Sequence, residues 1–267
     1  MGKPTAEEIK TILISYGMTV AGIAGVDRFE GAPPGHGPLD LLPAAKSVIV
    51  AGVRIPDPVV DWDEYHLKMT EMDTDLGIRA NTENFYLQMG HYVEDMMLNI
   101  AATRLANYLE VEHRLRSLPA VNATHTGLGH PVEEVQFGFF SQRHAAVRAG
   151  LGEFGYSGLV VNPRFGPRVR YVSVITEAEI EPDPLLTEKV CLRGACGGDK
   201  GPLCHLRCGK GALQFIDGID HDKVFFDIPV RLERSGCIPT NPEEGFGCTF
   251  IGTCMRQCPI GKQFTTK

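Results

Sequence analysis

The sequence predicts a mixed α/β domain over residues 1–180 followed by a smaller, cysteine-rich domain over residues 181–267. Three observations lead there. Helical and strand-like patterns alternate through the first 180 residues, whereas all eight cysteines stand at or beyond position 191. Between the two parts, residues 177–184 (EAEIEPDP) are acidic and carry prolines, the composition of a linker. Hydrophobic residues make up 43% of the 267, enough for a real core. No apolar run approaches the ~18 residues that a membrane span requires.

Taken in order, Thr5 and Glu8 form a capping box, and Ile9, Ile12, Leu13 and Tyr16 then repeat at helical spacing up to Gly17. Residues 18–26 read as a buried strand, 31–38 as a glycine- and proline-rich loop, and 47–53 as a second buried strand. Residues 56–82 are acidic and weakly patterned. The clearest helix runs over 83–112, with Phe85, Met89, Tyr92, Met96, Ile100 and Leu105 on one stripe. Such a stripe is expected to be core, and contact with a large flat cofactor is the alternative. A further helical stretch, 139–149, leads into a loop holding Gly150, Gly152, Gly155 and Gly158, then β-rich runs at 159–161 and 169–176. Gly150, Gly152 and Gly155 match a dinucleotide spacing, but they follow a helix and precede a strand, the reverse of what that fingerprint needs.

The cysteines carry the chemistry. Cys191, Cys196, Cys204 and Cys208 form one set, and Cys237, Cys248, Cys254 and Cys258 a second; each ends in C-x3-C, with Pro259 after the second. In two-cluster ferredoxins the fourth cysteine of each set crosses to the other cluster. On that pattern Cys191, Cys196, Cys204 and Cys258 hold one 4Fe-4S cluster, and Cys237, Cys248, Cys254 and Cys208 hold the other. Two alternatives stay open. Disulfides suit an even count, but no export signal is visible ahead of them. Zinc sites usually show paired C-x2-4-C knuckles, which are missing here. The N-terminus also predicts a cytoplasmic protein.

Net charge is −7, and it is uneven: 10 Lys and Arg face 8 Asp and Glu from Cys191 onward, against 16 and 25 before it. The acidic first part predicts no nucleic-acid partner.

Residues 141–158 (SQRHAAVRAGLGEFGYSG), 162–170 (NPRFGPRVR) and 42–50 (LPAAKSVIV), together with Gly236-Cys237, Gly247-Cys248 and Cys258-Pro259, resemble one superfamily. It is the group of cobalamin- and iron–sulfur-dependent reductases that contains epoxyqueuosine reductases and reductive dehalogenases. The likeness covers roughly residues 10–260. It implies a nitroreductase-like α/β cobalamin-binding domain plus a ferredoxin-like domain with two 4Fe-4S clusters. It further implies an oxidoreductase in which electrons from an external low-potential donor of ferredoxin or flavodoxin type pass through both clusters to base-off cobalamin, which reduces a small-molecule substrate. The alternative is an electron-transfer protein acting on a partner or corrinoid protein. By the same likeness Arg143, Gly150, Gly152, Gly155, Tyr156, Ser157 and Gly158 are candidate cofactor contacts. Where epoxyqueuosine reductases carry a proton-donating aspartate this chain has Gln136. Tyr156 is therefore the expected proton donor, with Glu134 as the fallback acid. Relatives carry lysine or arginine at the position of Tyr156. The C-terminal helical-repeat region of the tRNA-acting members and the dehalogenases' export signal have no counterpart, so neither of the two best-known substrates is expected.

Overall fold

A computed structural model describes residues 2–61, 86, 88–121, 139–208, 211–232 and 253–263. Glu134, Gln136, Cys237, Cys248 and most of the 56–82 stretch lie outside the described residues. The chain forms two compact units, each assembled from three stretches. The first comprises Met1–Arg54, Asp95–Gly152 and Arg170–Thr187; the second comprises Ile55–Glu94, Glu153–Val169 and Glu188–Lys267.

The first unit is built on a four-stranded sheet. Its strands are β1 (Val20–Gly25), β2 (Ser47–Arg54), β3 (Ser117–Ala120) and β6 (Val169–Thr176), in the order β1-β2-β6-β3. β1 runs antiparallel to β2 with Ile23 opposite Ile49, and β3 antiparallel to β6 with Leu118 opposite Ile175. Alternate residues of a strand face opposite sides. Ile23, Ile49, Ala51 and Val53 therefore share one face, where they pack with Ile9 and Leu13 of α1 (Ala6–Ser15) and with a long helix, α4 (Glu94–His113). On the other face Gly22 meets the end of α5 (Gln142–Arg148): a Cβ at 22 would stand 2.6 Å from the Ala149 carbonyl oxygen. Short helices α2 (Pro38–Leu41) and α3 (Asp57–Val60) flank β2 in the chain. The expected capping box on α1 is present, Thr5 Oγ1 accepting from the Glu8 N–H and Glu8 Oε2 from the Thr5 N–H.

Two expectations change. The predicted stripe of the long helix is largely outside the core: Met89, Tyr92, Met96 and Ile100 are exposed, Met96 at 63%. The buried face is Leu98, Ala101, Ala102, Leu105, Ala106 and Leu109, in which alanines let the helix close on the sheet. A π-helical turn, Gln88–Val93, precedes α4 and takes the stripe off a 3.6-residue period. The second change concerns residues 177–184, which are no loose linker. Ala178 and Ile180 are buried in the core of the first unit, and Asp183 accepts from the Ile23 N–H.

Arg170 on β6 forms a two-pronged pair with buried Asp95, both N–H···O distances being 2.8 Å. Its neighbour Tyr171 is wholly buried, which pushes its phenol above the ordinary 10.0. A raised folded-state value means that the stabilisation is complete below pH ~10 and is lost as pH climbs past it, because only the unfolded chain ionises there. Tyr171→Phe is expected to lose less of its urea midpoint between about pH 9 and 11 than the parent. Equal losses in both proteins would refute this.

Among its described residues the second unit has little regular structure. It holds two short hairpins, β4–β5 (Glu153–Phe154 and Val160–Val161) and β7–β8 (Leu213–Phe215 and Val230–Leu232). Two single-turn helices, α6 (Leu203–Leu206) and α7 (Thr253–Gln257), accompany them. Its small apolar cluster gathers Ile55, Val59, Val60, Tyr86 and Met255. Among the described residues, no helix is long and apolar enough to cross a membrane.

Candidate functional site: a cysteine-lined cavity

The β4–β5 hairpin is the floor on which the site is built. Its loop closes tightly, with the Gly155 N–H on the Leu159 oxygen at 2.8 Å and the Gly158 N–H on the Gly155 oxygen at 2.9 Å. Gly155 has no room for a side chain. A Cβ there would stand 2.6 Å from a Val161 methyl across the hairpin, while the Cys191 sulfur lies at an ordinary contact distance of 3.6 Å.

Above the hairpin lies a cavity lined by Cys191, Cys196, Cys204, Cys254 and Cys258, with Tyr156 and Arg193 also in its wall. α6 carries Cys204, α7 carries Cys254, and Cys258 follows α7. Cys196 Sγ accepts from the Leu203 N–H at 3.4 Å, while Cys208 Sγ accepts from the Ala212 N–H at 3.3 Å. The six described cysteines are all free thiols. Burial pushes the Cys204 thiol up to about 12, helped by neighbouring Cys191, Cys196 and Cys258. Cys258 rises to about 11 for the same leading reason, with Arg168 and an Ile260 backbone contact pulling the other way. Cys204 and Cys258, both pushed up by burial, would ionise more readily with a cation in the pocket, as the ligands of a metal site do. Among the described residues no three His, Cys, Asp or Glu side chains close on a single ion. A four-iron cube takes each thiolate at a different corner, so its ligands stand further apart than those of one ion.

Two buried charge clusters hold the loops that supply these sulfurs. Glu153, fully buried, accepts from the Val190 and Cys191 N–H groups through Oε1, each at 2.7 Å. Its Oε2 accepts from Arg193 Nη2 at 2.7 Å and from the Phe225 N–H at 3.0 Å. Arg168, also fully buried, faces Asp57 at 3.4 Å and Asp61 at 3.3 Å and donates to the carbonyls of Cys258 and Ile260. Sequence reasoning missed Glu153, Arg168 and Arg193 as organisers. The one local signal was an acid inside a glycine loop.

Tyr156 is buried in this wall. Its hydroxyl bonds His221 Nδ1, and its ring packs against Phe215 at 4.6 Å and Phe225 at 6.1 Å. Burial raises the phenol's pKa, with Arg193 opposing the shift. His205 Nε2 donates to the Tyr156 carbonyl at 2.8 Å, and burial pushes this imidazole toward its neutral form. Ser157 is half-buried, its hydroxyl accepting from the Leu159 N–H. Gly158 has φ +71°, and a Cβ there would stand 3.3 Å from a Val230 methyl. The other candidates belong to the first unit: Arg143 is exposed on α5, Gly152 is buried, and Gly150 (φ +73°) sits where a Cβ would meet the Pro184 oxygen at 2.2 Å.

No family model matches the chain. A curated epoxyqueuosine reductase from Staphylococcus aureus is 28% identical over 135 residues, which cover 50% of this chain and 33% of that protein. A solved epoxyqueuosine reductase bound to a tRNA-Tyr epoxyqueuosine-modified stem loop superposes with a TM-score of 0.59 at 20% identity, over 98% of this chain and 66% of that one. A reductive dehalogenase structure, reported with a mechanism for B12-dependent dehalogenation, superposes with a TM-score of 0.60 at 16% identity, over 98% of this chain and 32% of that one. The chain shares its mixed α/β fold with epoxyqueuosine reductases and reductive dehalogenases. It spans only part of the length of each.

These likenesses correct one expectation. A solved protein of the same fold takes a tRNA stem loop, so the acidity of this chain does not argue against a nucleic-acid partner. Net charge sums over a whole surface, whereas a phosphate backbone is met by a local patch. The ferredoxin- or flavodoxin-type electron donor expected from the sequence finds no support in the comparisons.

Proposed function

We propose that this chain is a reductase in which two 4Fe-4S clusters deliver electrons to a bound corrinoid. In this reading residues 1–180 are the nitroreductase-like part and residues 181–267 the ferredoxin-like part, and the protein works in the cytoplasm, where its thiols stay reduced. The observation that carries it is the meeting of Cys191, Cys196, Cys204 and Cys258, with Cys254 beside them, in one cavity, the last two arriving from far along the chain. Cys208, Cys237, Cys248 and Cys254 form the second ligand set of the proposal. Bound cobalamin would supply a strongly reducing cobalt centre, with Arg143, Gly150, Gly152, Gly155, Ser157 and Gly158 as candidate contacts. Tyr156, held by His221, is the candidate to hold a proton in the wall, and Glu134 is the fallback acid.

Anaerobically purified protein is expected to carry about eight irons per chain. Cys258→Ala should lose about half of them and one of two EPR signals. Near-zero iron with about two zincs would end this reading. Added cobalamin should change its optical spectrum on binding. Turnover is then offered two substrates, a free organic halide and an epoxyqueuosine-bearing stem loop, and activity with neither would reduce the chain to an electron-transfer protein.

A further inference from the structure

Arg193 carries more than a structural ion pair. Its Nη2 donates to Glu153 and to the Lys223 carbonyl, both at 2.7 Å, and its Nε to the His221 carbonyl at 3.3 Å. Its guanidinium carbon lies 4.0 Å from the centre of the Phe225 ring. Three polar partners and one aromatic face thus fix the fork in place. The remaining nitrogen, Nη1, is buried and has no hydrogen-bond partner among the described residues. The residue is only 8% exposed and lines the cavity of Cys191, Cys196, Cys204 and Cys258.

An unpaired guanidinium N–H is costly when buried, so such groups are normally satisfied. The backbone adds a second cost. Arg193 sits at φ +56°, a left-handed conformation that disfavours any side chain. Strain of this kind persists where surrounding contacts over-determine it, and it gathers at functional sites. Both costs fall on one residue in the wall of a pocket that supplies sulfur ligands. Among the groups lining that pocket, the cysteine sulfurs are acceptors that Nη1 could serve.

Resting on the reading above, we infer that Arg193 Nη1 donates a hydrogen bond to a sulfur of the cluster held by Cys191, Cys196, Cys204 and Cys258. Its fixed positive charge then raises that cluster's reduction potential. One-electron reduction adds a negative charge to the cluster, and hydrogen bonds to its sulfurs and nearby charge set how readily this happens. No proton has to move, because guanidinium stays protonated throughout. Glu153 acts as a positioning residue. One carboxylate holds both the Arg193 fork and the backbone N–H of Cys191, so donor and ligand are set by the same group.

The test is an EPR-monitored titration of the anaerobic full chain with dithionite, alongside iron analysis, with Cys258→Ala identifying which signal belongs to this cluster. Arg193→Met is expected to keep its iron and move that signal to lower potential, leaving the other signal in place. Glu153→Gln should move the same signal upward, because a negative charge is lost. That opposite sign is one a merely loosened fold would not produce. If Arg193→Met loses iron, Arg193→Lys serves instead. Its ammonium keeps the pair with Glu153 but lacks the second arm, so retained iron with a lowered midpoint supports the inference. Retained iron with unmoved midpoints in either Arg193 variant overturns it. A parent protein without iron would instead refute the two-cluster reading itself.

Discussion

A methyl group at position 166 or 261 should cost the second unit at least about 3 kcal/mol and release iron from the cavity. At Gly166 a Cβ would stand 1.9 Å from the Ile260 carbonyl oxygen and 2.6 Å from its carbon. At Gly261 it would stand 1.9 Å from the Phe165 carbonyl carbon and 2.1 Å from its oxygen. The two glycines thus face each other across a backbone-to-backbone contact. Main-chain atoms cannot swing aside as a side-chain end can, and both glycines also have positive φ, +57° and +80°. One side of the contact is rigid, because Asn162 Oδ1 accepts from the Arg164 and Phe165 N–H groups and its backbone pairs with Gly166 in both directions. The other side follows Cys258 and Pro259, so any retreat drags a proposed ligand out of the cavity. Gly198 is the control: it has φ +60° with open space around it, so alanine there meets a conformational cost but strikes no neighbouring atom. Melting temperature should fall by about 6–12 °C in Gly166→Ala and Gly261→Ala. If both melted like Gly198→Ala and kept their iron, the contact would carry no weight.

What could be read from the sequence depended on how far a residue's partners lie along the chain. The α1 capping box is local, and so are the strand at Ser47–Arg54 and the tight glycine loop; each was legible because four to nine residues decide it. The cysteines stood out for a chemical reason, since few roles call for eight thiols in two like-ended sets, and five of them line the cavity. The organisers were not. Glu153 meets Arg193 across 40 residues, and Arg168 meets Asp61 across 107; in one dimension each looks like an ordinary surface charge. The interleaving of the two units leaves no trace in composition. At Met96 and Ile100 hydropathy pointed inward, yet the helix turns alanines to the sheet, because close approach there matters more than side-chain bulk.

Arg168→Met should cost the second unit about 3–5 kcal/mol. The guanidinium is fully buried, facing Asp57 at 3.4 Å and Asp61 at 3.3 Å, both also buried. Removing it leaves two buried carboxylates with weaker charge compensation, the Lys262 ammonium standing 3.7 Å from Asp61 and the Gln263 N–H donating to Asp57. The same step removes a donor from the carbonyls of Arg256, Cys258 and Ile260, which Arg168 gathers at the end of α7. These two losses can be separated. Arg168→Met combined with Asp57→Asn and Asp61→Asn removes the uncompensated charge, so it should recover much of the urea midpoint. It restores no donor to the Cys258 carbonyl, so iron should stay low. Recovery of both together would mean that charge alone shapes the loop. An Arg168→Met variant no less stable than an exposed substitution such as Lys3→Met would remove Arg168 as the group that seats Cys258.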